Sequence, residues 1–209
     1  MDTSEAETTG ESGDRRLLRG ARSRLAVTER AVDIASTDGL DGLSFGRLAD
    51  DLGVSKAGIQ TLFRTKERLQ LATVEAARAE FLDAVVRPAQ DSPAGVARLR
   101  ALVDRWMDYV VAPLFPGGCF WGANLPIFDS RTGPIRDELR RQRREWVEIL
   151  ATQFRAALAA GEIAPIDPDL AAFQVNALLT TVNQELRLDD ENSVTMARRI
   201  IDGLLTPAA

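Results

Sequence analysis

Apolar residues recur every three or four positions along most of the chain, which is the period of an amphipathic α-helix. The first clear run follows Ser23, a suitable N-cap, and it stops at Asp38-Gly39 after Val27, Ala31, Ile34 and Ala35. Residues 1–14 contain five acidic residues, no basic residue and no apolar period, which predicts a disordered acidic tail. The pattern as a whole predicts an all-α protein.

A corner of only three residues, Gly-Val-Ser at 53–55, separates the next two predicted helices. Ser44 can cap a helix whose apolar face ends at Gly53, a residue that readily adopts the left-handed conformation of a helix end. Ser55 can cap the following helix, and Val54 is expected to fill the angle between the two. Thr65 then begins a fourth helix that reaches Arg87-Pro88. This succession is typical of a helix-turn-helix, which presents its second helix outward.

The outward face of that second helix is small and polar. With Ile59 and Phe63 buried, a rotation of 100° per residue directs Ala57, Gly58, Thr61 and Arg64 outward and leaves Gln60 on the flank. Such a face can approach the major groove closely, where amide, hydroxyl and methyl groups contact base edges. An ordinary helical corner explains the same glycine and serine, so the pattern alone leaves both interpretations open.

The charge distribution favours nucleic acid at one end of the chain. The net charge is −5, but residues 15–69 carry a net +4, against −5 for residues 1–14 and −4 for residues 70–209. A basic segment in an acidic protein is expected where only that segment meets phosphate. The basic stretch Arg15 to Arg24 can lie along the DNA backbone or in the minor groove, or it can be a solvated tail.

Residues 23–70 resemble the N-terminal domain of the TetR family of bacterial transcriptional regulators. The match rests on the order Gly39, Gly42-Leu43-Ser44-Phe45, Leu48-Ala49, Gly53-Val54-Ser55-Lys56, Ile59, Phe63, Lys66-Glu67 and Leu69. Gln60 stands where the family usually has an aromatic residue, and Leu62 stands where it often has His or Tyr. The resemblance implies a dimer that binds a palindromic operator. The DNA-binding residues expected are Arg24, Ser44, Ser55, Lys56, Ala57, Gly58, Gln60, Thr61, Arg64 and Lys66.

Residues 70–209 are predicted to form a larger helical domain, so that the chain has about nine helices. The apolar periods predict helices over 92–112 and 133–160, another opening at Asp167-Pro168, and a last one from about Ser193. Residues 114–124 read as irregular and aromatic, and a run here is similar to the ligand domain of one TetR subgroup. The last two helices carry apolar residues beyond one core stripe, which predicts a homodimer packed through them as a four-helix bundle, with purely intramolecular burial as the alternative.

Aromatic side chains of the larger domain can line a cavity for an apolar or aromatic small molecule, although each one alone can equally be part of the core. The candidate ligand-binding residues are Trp106, Tyr109, Phe115, Cys119, Phe120, Trp121, Asn124, Phe128, Trp146 and Phe173. The run Arg140 to Arg144 has acidic residues within about one turn. It is therefore interpreted as a solvated face of helical ion pairs and is given no site.

Composition narrows the function. The chain has no histidine and one cysteine, so neither a zinc site nor a Ser-His-Asp triad can be built, and no catalytic residue, metal or cofactor is predicted. No signal peptide or membrane-spanning run is evident, which indicates a cytoplasmic protein. The expected function is a transcriptional regulator, most often a repressor in this family, released from its operator by a small effector. The alternatives are a helical ligand-binding protein that has lost DNA binding, a Cys119-based redox or electrophile sensor, and an enzyme.

Overall fold

The computed structural model describes the backbone of residues 5–207 and the side chains of residues 20–207. Over these residues the chain forms nine α-helices and no strand, which confirms the predicted all-α class. The helices are α1 Glu5–Asp38, α2 Phe45–Leu52, α3 Lys56–Phe63, α4 Lys66–Phe81, α5 Val96–Val111, α6 Phe120–Phe128, α7 Pro134–Ala159, α8 Pro168–Leu186 and α9 Asn192–Leu204. None of the helices within these residues is long and apolar enough to cross a membrane.

The first helix begins at Glu5, so the prediction that Ser23 caps it was wrong. The disordered acidic tail predicted for residues 1–14 stays a prediction. Neither Gly10, Gly13 nor Gly20 forbids a helix. The predicted tail at residues 1–4 lies outside the described residues, as do the side chains of the basic stretch at residues 15–19.

The predicted helix-turn-helix is confirmed in its local chemistry. The hydroxyls of Ser44 and Ser55 accept hydrogen bonds from the third amide group after each, at 3.1 Å in both cases. Gly53 adopts the left-handed conformation, with φ 64°. The role predicted for Val54 is wrong, because its side chain is 51% exposed and Ile59 and Phe63 supply the packing instead. The corner therefore holds α3 by two caps and two buried side chains.

Helix α4 continues beyond Phe81 through a π-helical segment, Leu82–Val86, and a last α-helical turn, Arg87–Ala89. Two other predicted boundaries were wrong. Helix α5 begins at Val96 and not at residue 92, since Gly95 precedes it with φ 100°. The irregular aromatic stretch ends at Cys119, because α6 starts at Phe120. The start of α6 could not be predicted from the sequence, because no apolar period is visible there.

The two predicted domains share one continuous buried core, which contains Ile34 and Phe63 as well as Trp106 and Phe154. The 3-10 turn Leu40–Gly42 and the end of α1 meet α6 at this junction. There the Asn124 amide, which is fully buried, accepts a hydrogen bond from the Leu40 N–H at 2.7 Å and donates to the carbonyl oxygen of Ala35 at 3.0 Å. The N-terminal helices are therefore fastened to α6 by hydrogen bonds between the Asn124 side chain and main-chain groups as well as by apolar packing.

Candidate DNA-binding surface and ligand cavity

The outer face of α3 has the composition and exposure that the sequence predicted. Ile59 and Phe63 are each 1% exposed and define the buried side of the helix. The residues on the other side are all exposed: Lys56, Ala57, Gly58, Gln60, Thr61 and Arg64. The Thr61 hydroxyl donates to the Ala57 carbonyl oxygen at 2.8 Å, which leaves its oxygen free to accept a hydrogen bond and its methyl group free for contact.

Three predicted phosphate-binding residues also hold the helix-turn-helix together. The Arg24 guanidinium donates to the Leu62 carbonyl oxygen at 3.0 Å and lies 4.5 Å from the centroid of the Phe63 ring. The Lys66 ammonium donates to the Asp41 carbonyl oxygen at 2.8 Å. Arg64 ends α3 with φ 64°. Arg24 and Lys66 thus fix α1 and α4 against the turns on which α3 depends, while their charges remain at the exposed surface.

A cavity of about 980 Å³ lies in the larger domain. Its volume is near the upper end of the range that is typical of small-molecule binding sites. Its walls come from α4, α5, α6, α7 and α8. The aromatic part of the wall consists of Phe81, Trp106, Trp121, Phe128 and Trp146. Asn176, Asn183 and Gln142 supply amide groups. Charged side chains complete the lining: Arg78, Asp129, Arg136, Arg140, Arg141, Arg143, Arg144, Glu145 and Glu148. The wall therefore combines rings with amide and charged groups that can orient a ligand.

The structure places the ten predicted ligand-binding residues in three groups. Trp106, Cys119, Trp121, Phe128 and Trp146 line the cavity. Tyr109, Phe115, Phe120 and Asn124 lie in the core behind it, where all four are under 5% exposed. Phe173 is 59% exposed on the outer face of α8 and does not line the cavity. The amide of Asn124 has no N–H group left to offer a ligand, since it also donates to the Phe120 carbonyl oxygen at 2.8 Å.

Phe81 lines the cavity although it is not among the predicted ligand-binding residues. Its ring packs edge-to-face against Tyr109, Trp121 and Trp146, at centroid distances of 5.4, 5.1 and 5.3 Å. The π-helical segment begins at the next residue, and such segments often occur at functional sites. No sequence signal marks a π-helix. The position of Phe81 at the centre of the aromatic wall depends on tertiary packing, so the sequence did not predict it either.

The Cys119 thiol lines the cavity, but its environment makes it a poor nucleophile. Burial raises the pKa of the thiol above its ordinary value, so the thiolate that reacts with oxidants and electrophiles is disfavoured. Burial likewise raises the pKa of the neighbouring Tyr109 hydroxyl. Hydrogen bonds from the Gly122 and Trp121 backbone and from the Tyr109 hydroxyl lower the thiol pKa, but burial is the larger effect. The balance favours a small apolar wall residue over the sensor alternative.

A polar network joins the cavity wall to α4. The Gln142 carbonyl oxygen accepts from the Trp121 indole N–H at 3.2 Å, and the Gln142 amide donates to the Glu75 carboxylate of α4 at 3.2 Å and to Glu138 at 2.6 Å. Arg141 pairs with Glu138, which lowers the pKa of Glu138 to about 2. Burial, followed by the neighbouring Glu138, raises the pKa of Glu75. A change at Trp121 can thus reach α4 through one side chain.

Comparison with known proteins agrees with this architecture. The family model described as the tetracyclin repressor-like C-terminal domain matches residues 95–201, which is half of the chain. No curated protein sequence matches the chain. The matched segment contains α5 to α8 and most of α9, which are the helices that build the cavity except for the wall supplied by α4.

Solved structures share the fold along nearly the whole chain. A TetR transcriptional regulator from Chloroflexus aurantiacus J-10-FL is 24% identical with a TM-score of 0.80, and the alignment covers 91% of this chain and 99% of that one. A TetR-family regulator from Cytophaga hutchinsonii is 19% identical with a TM-score of 0.78, over 90% and 94% of the two chains. AibR, in complex with isovaleryl coenzyme A and operator DNA, is 24% identical with a TM-score of 0.72, over 88% and 100%. At these identities the likeness shows the fold.

Proposed function

The chain belongs to the TetR family of transcriptional regulators, and from that premise we propose that it is a dimeric repressor whose operator binding is controlled by a small molecule in the cavity. One observation carries this proposal. Helix α4 begins beside the helix-turn-helix, where Lys66 bonds to Asp41, and it ends in the cavity wall, where Phe81 packs against two tryptophans. A single helix therefore spans the DNA-binding surface and the ligand site.

Helix α3 would read the operator. Gln60 presents a free amide that can bond a base edge, Ala57 and Gly58 allow the helix to approach the groove, and Lys56 provides charge for a phosphate. Ser44 lies at the start of α2 and Lys66 at the start of α4, where backbone amides and charge favour a phosphate. These assignments fit the exposure of each residue and the rigid capping of α3.

The second subunit would cover the exposed apolar face of the last two helices. We name Leu170, Phe173, Met196 and Ile200 the α8/α9 face; their exposed fractions lie between 48% and 59%. Leu170 and Phe173 are three residues apart on α8, and Met196 and Ile200 are four residues apart on α9. Each pair therefore lies on one side of its helix. Apolar side chains at this density indicate a protein interface, and a two-fold dimer pairs this face with itself.

Introducing carboxylates on the α8/α9 face is expected to separate the dimer. In the Phe173→Glu, Ile200→Glu variant, a two-fold interface would bury four unpaired charges, so dimerisation should weaken by at least about 100-fold. Sedimentation velocity over a concentration series measures the change, and circular dichroism checks that the exposed substitutions leave the helices intact. The Val111→Glu variant is the control, since Val111 is 56% exposed on α5. A double variant that stays dimeric would refute this interface.

Ligand binding would act on DNA binding through two connections. The Trp121 indole reaches Glu75 of α4 through Gln142, and α6 reaches the end of α1 through Asn124. A ligand shifts an equilibrium only by binding two states unequally, and about 1–3 kcal/mol of such coupling is typical. A small movement of α4 or α6 would change the separation of the two α3 helices, which must lie roughly 34–36 Å apart to reach successive major grooves.

The proposal is tested by operator binding. The purified dimer is incubated with the DNA upstream of its own gene and, in parallel, with random DNA for selection, and shifted fragments are footprinted at two salt concentrations. A protected palindrome with salt-sensitive affinity is expected. Failure to select any sequence would contradict operator binding and favour a ligand-binding protein without a DNA target. Because its target would be bacterial DNA, we place the protein in the cytoplasm. We assign it no enzymatic activity.

A further inference from the structure

Arginines on one face of α7 form the mouth of the cavity. Arg136, Arg140, Arg143 and Arg144 all line it, and their spacing of four, three and one residues places them on neighbouring positions of the helix surface. Arg140, Arg143 and Arg144 are exposed to solvent. This is the run to which sequence analysis assigned no site because acidic residues lie close to it in the sequence.

The acidic residues of α7 are bonded to arginines other than Arg140, Arg143 and Arg144, and Asp137 pairs with Arg136 at 3.5 Å. Glu138 and Glu145 both pair with Arg141, and Glu145 also accepts from Arg78 at 3.1 Å. Glu148 accepts from Arg155 at 2.7 Å. In the described part of the chain, Arg140, Arg143 and Arg144 form no ion pair with a carboxylate. The expectation of a face neutralised by helical ion pairs was therefore wrong for three of these arginines.

Three unpaired guanidinium groups on adjacent turns repel one another, and an anion between them relieves that repulsion. Their planar forks match the oxygens of a carboxylate or a phosphate. The same cavity is also lined by Trp106, Trp121 and Trp146, which are buried or half-buried and suit an apolar or aromatic body. The concentration of positive charge is local, because the chain as a whole has a net charge of −5.

We propose that the cavity binds an amphipathic anion, with its apolar body among the three tryptophans and its carboxylate or phosphate group on Arg140, Arg143 and Arg144. The inference rests on the proposed function, since it names the chemical class of the effector. A neutral ligand would leave the arginines unpaired, and a small anion without an apolar body would gain nothing from the tryptophan wall. Both parts of the ligand are therefore needed for tight binding.

The tryptophans provide the measurement, because all three that the chain contains line the cavity. Intrinsic fluorescence of the full-length dimer is titrated with undecanoate and decyl phosphate below their micelle-forming concentrations and with decan-1-ol below its solubility limit. These probes share one ten-carbon chain and differ only in the head group. At least one anion is expected to bind 10-fold or more tightly than the alcohol, and the stronger of the two identifies the head group as carboxylate or phosphate.

A variant without the three arginines tests where the anion lies. In the Arg140→Gln, Arg143→Gln, Arg144→Gln variant the preference for the anion over decan-1-ol should fall to less than about threefold, while the alcohol binds as before. A control with the same change in net charge replaces three exposed arginines outside the cavity, Arg87, Arg105 and Arg199, and should keep the preference. Anion preference that survives the loss of Arg140, Arg143 and Arg144 would overturn the proposal.

The ligand class and the proposed function fail in different ways. If decan-1-ol binds as tightly as both anions and releases the operator, the anion class is wrong and the effector site stands. If none of the probes changes tryptophan fluorescence, the proposed class is also wrong. Operator binding in the absence of ligand still tests whether the protein is a transcriptional regulator. If no DNA sequence is selected but the anion preference is found, the class is supported for a protein that is not an operator-binding repressor.

Discussion

Replacing Asn124 with alanine is expected to lower the free energy of unfolding by about 3–4 kcal/mol. The substitution removes three hydrogen bonds and leaves the buried Leu40 N–H without its acceptor. An orphaned buried donor costs about 1–3 kcal/mol, and the lost bonds and the small void add to it. For a chain of this size the melting temperature should fall by roughly 6–16 °C.

Urea denaturation followed by circular dichroism measures this effect. The control is Asn192→Ala, because Asn192 is exposed at the start of α9 and its replacement should change stability by no more than about 0.5 kcal/mol. A loss below about 1 kcal/mol for Asn124→Ala would show that the junction of α1 and α6 does not depend on this amide. The folded fraction of the variant should also lose part of the effect of ligand on operator binding, since α6 would no longer be fastened to α1.

Sequence was most informative where structure is local. The caps at Ser44, Ser55 and Thr65 and the left-handed Gly53 each act within four residues, so a short stretch of sequence contains both partners of every hydrogen bond. The buried face of α3 followed from the same short range. Val54 was the exception, because whether a side chain fills a corner depends on the angle between helices, which the pattern does not fix.

The cavity was harder to predict because its wall is built from distant segments. Phe81 and Trp121 are brought together by packing across helices, and Phe173 has the same aromatic character but is exposed and does not line the cavity. Composition identified the aromatic set, and only the fold separates the wall from the core and from the α8/α9 face. Asn124 shows the same limit, since its partners Leu40 and Ala35 lie 84 and 89 residues away.

The ion pairing of the arginines at 140–144 could not be predicted from the sequence for a related reason. Proximity in the sequence suggested that each arginine between 140 and 144 would find an acidic partner. Arg141 alone pairs with three glutamates, Glu75, Glu138 and Glu145, and Arg78, which lies on another helix, shares Glu145. Competition among cations for a few carboxylates is a property of the folded structure, and it left an unpaired arginine face at the cavity mouth.

Replacing the polar side chains of α3 is expected to abolish operator recognition without affecting the fold. In the Gln60→Ala, Thr61→Ala variant each half-site would lose a base-edge hydrogen bond worth about 1–3 kcal/mol, so the dimer should bind its operator about 100-fold more weakly. Both residues are exposed, and neither anchors α3. The salt dependence of affinity should stay the same, since no phosphate contact is removed. Fluorescence anisotropy with a labelled operator measures both quantities.

The Lys56→Gln variant is the informative contrast, because it should change the salt dependence of affinity and leave the sequence preference as it is. Removing a phosphate contact from each half-site should weaken binding to all sequences alike and reduce the slope of log affinity against log salt by about two for the dimer. The control Gln90→Ala, Thr152→Ala changes the same residue types at exposed positions remote from α3 and should bind as the unmodified protein does. If the Gln60→Ala, Thr61→Ala variant kept both affinity and sequence preference, α3 would not be the element that reads the operator.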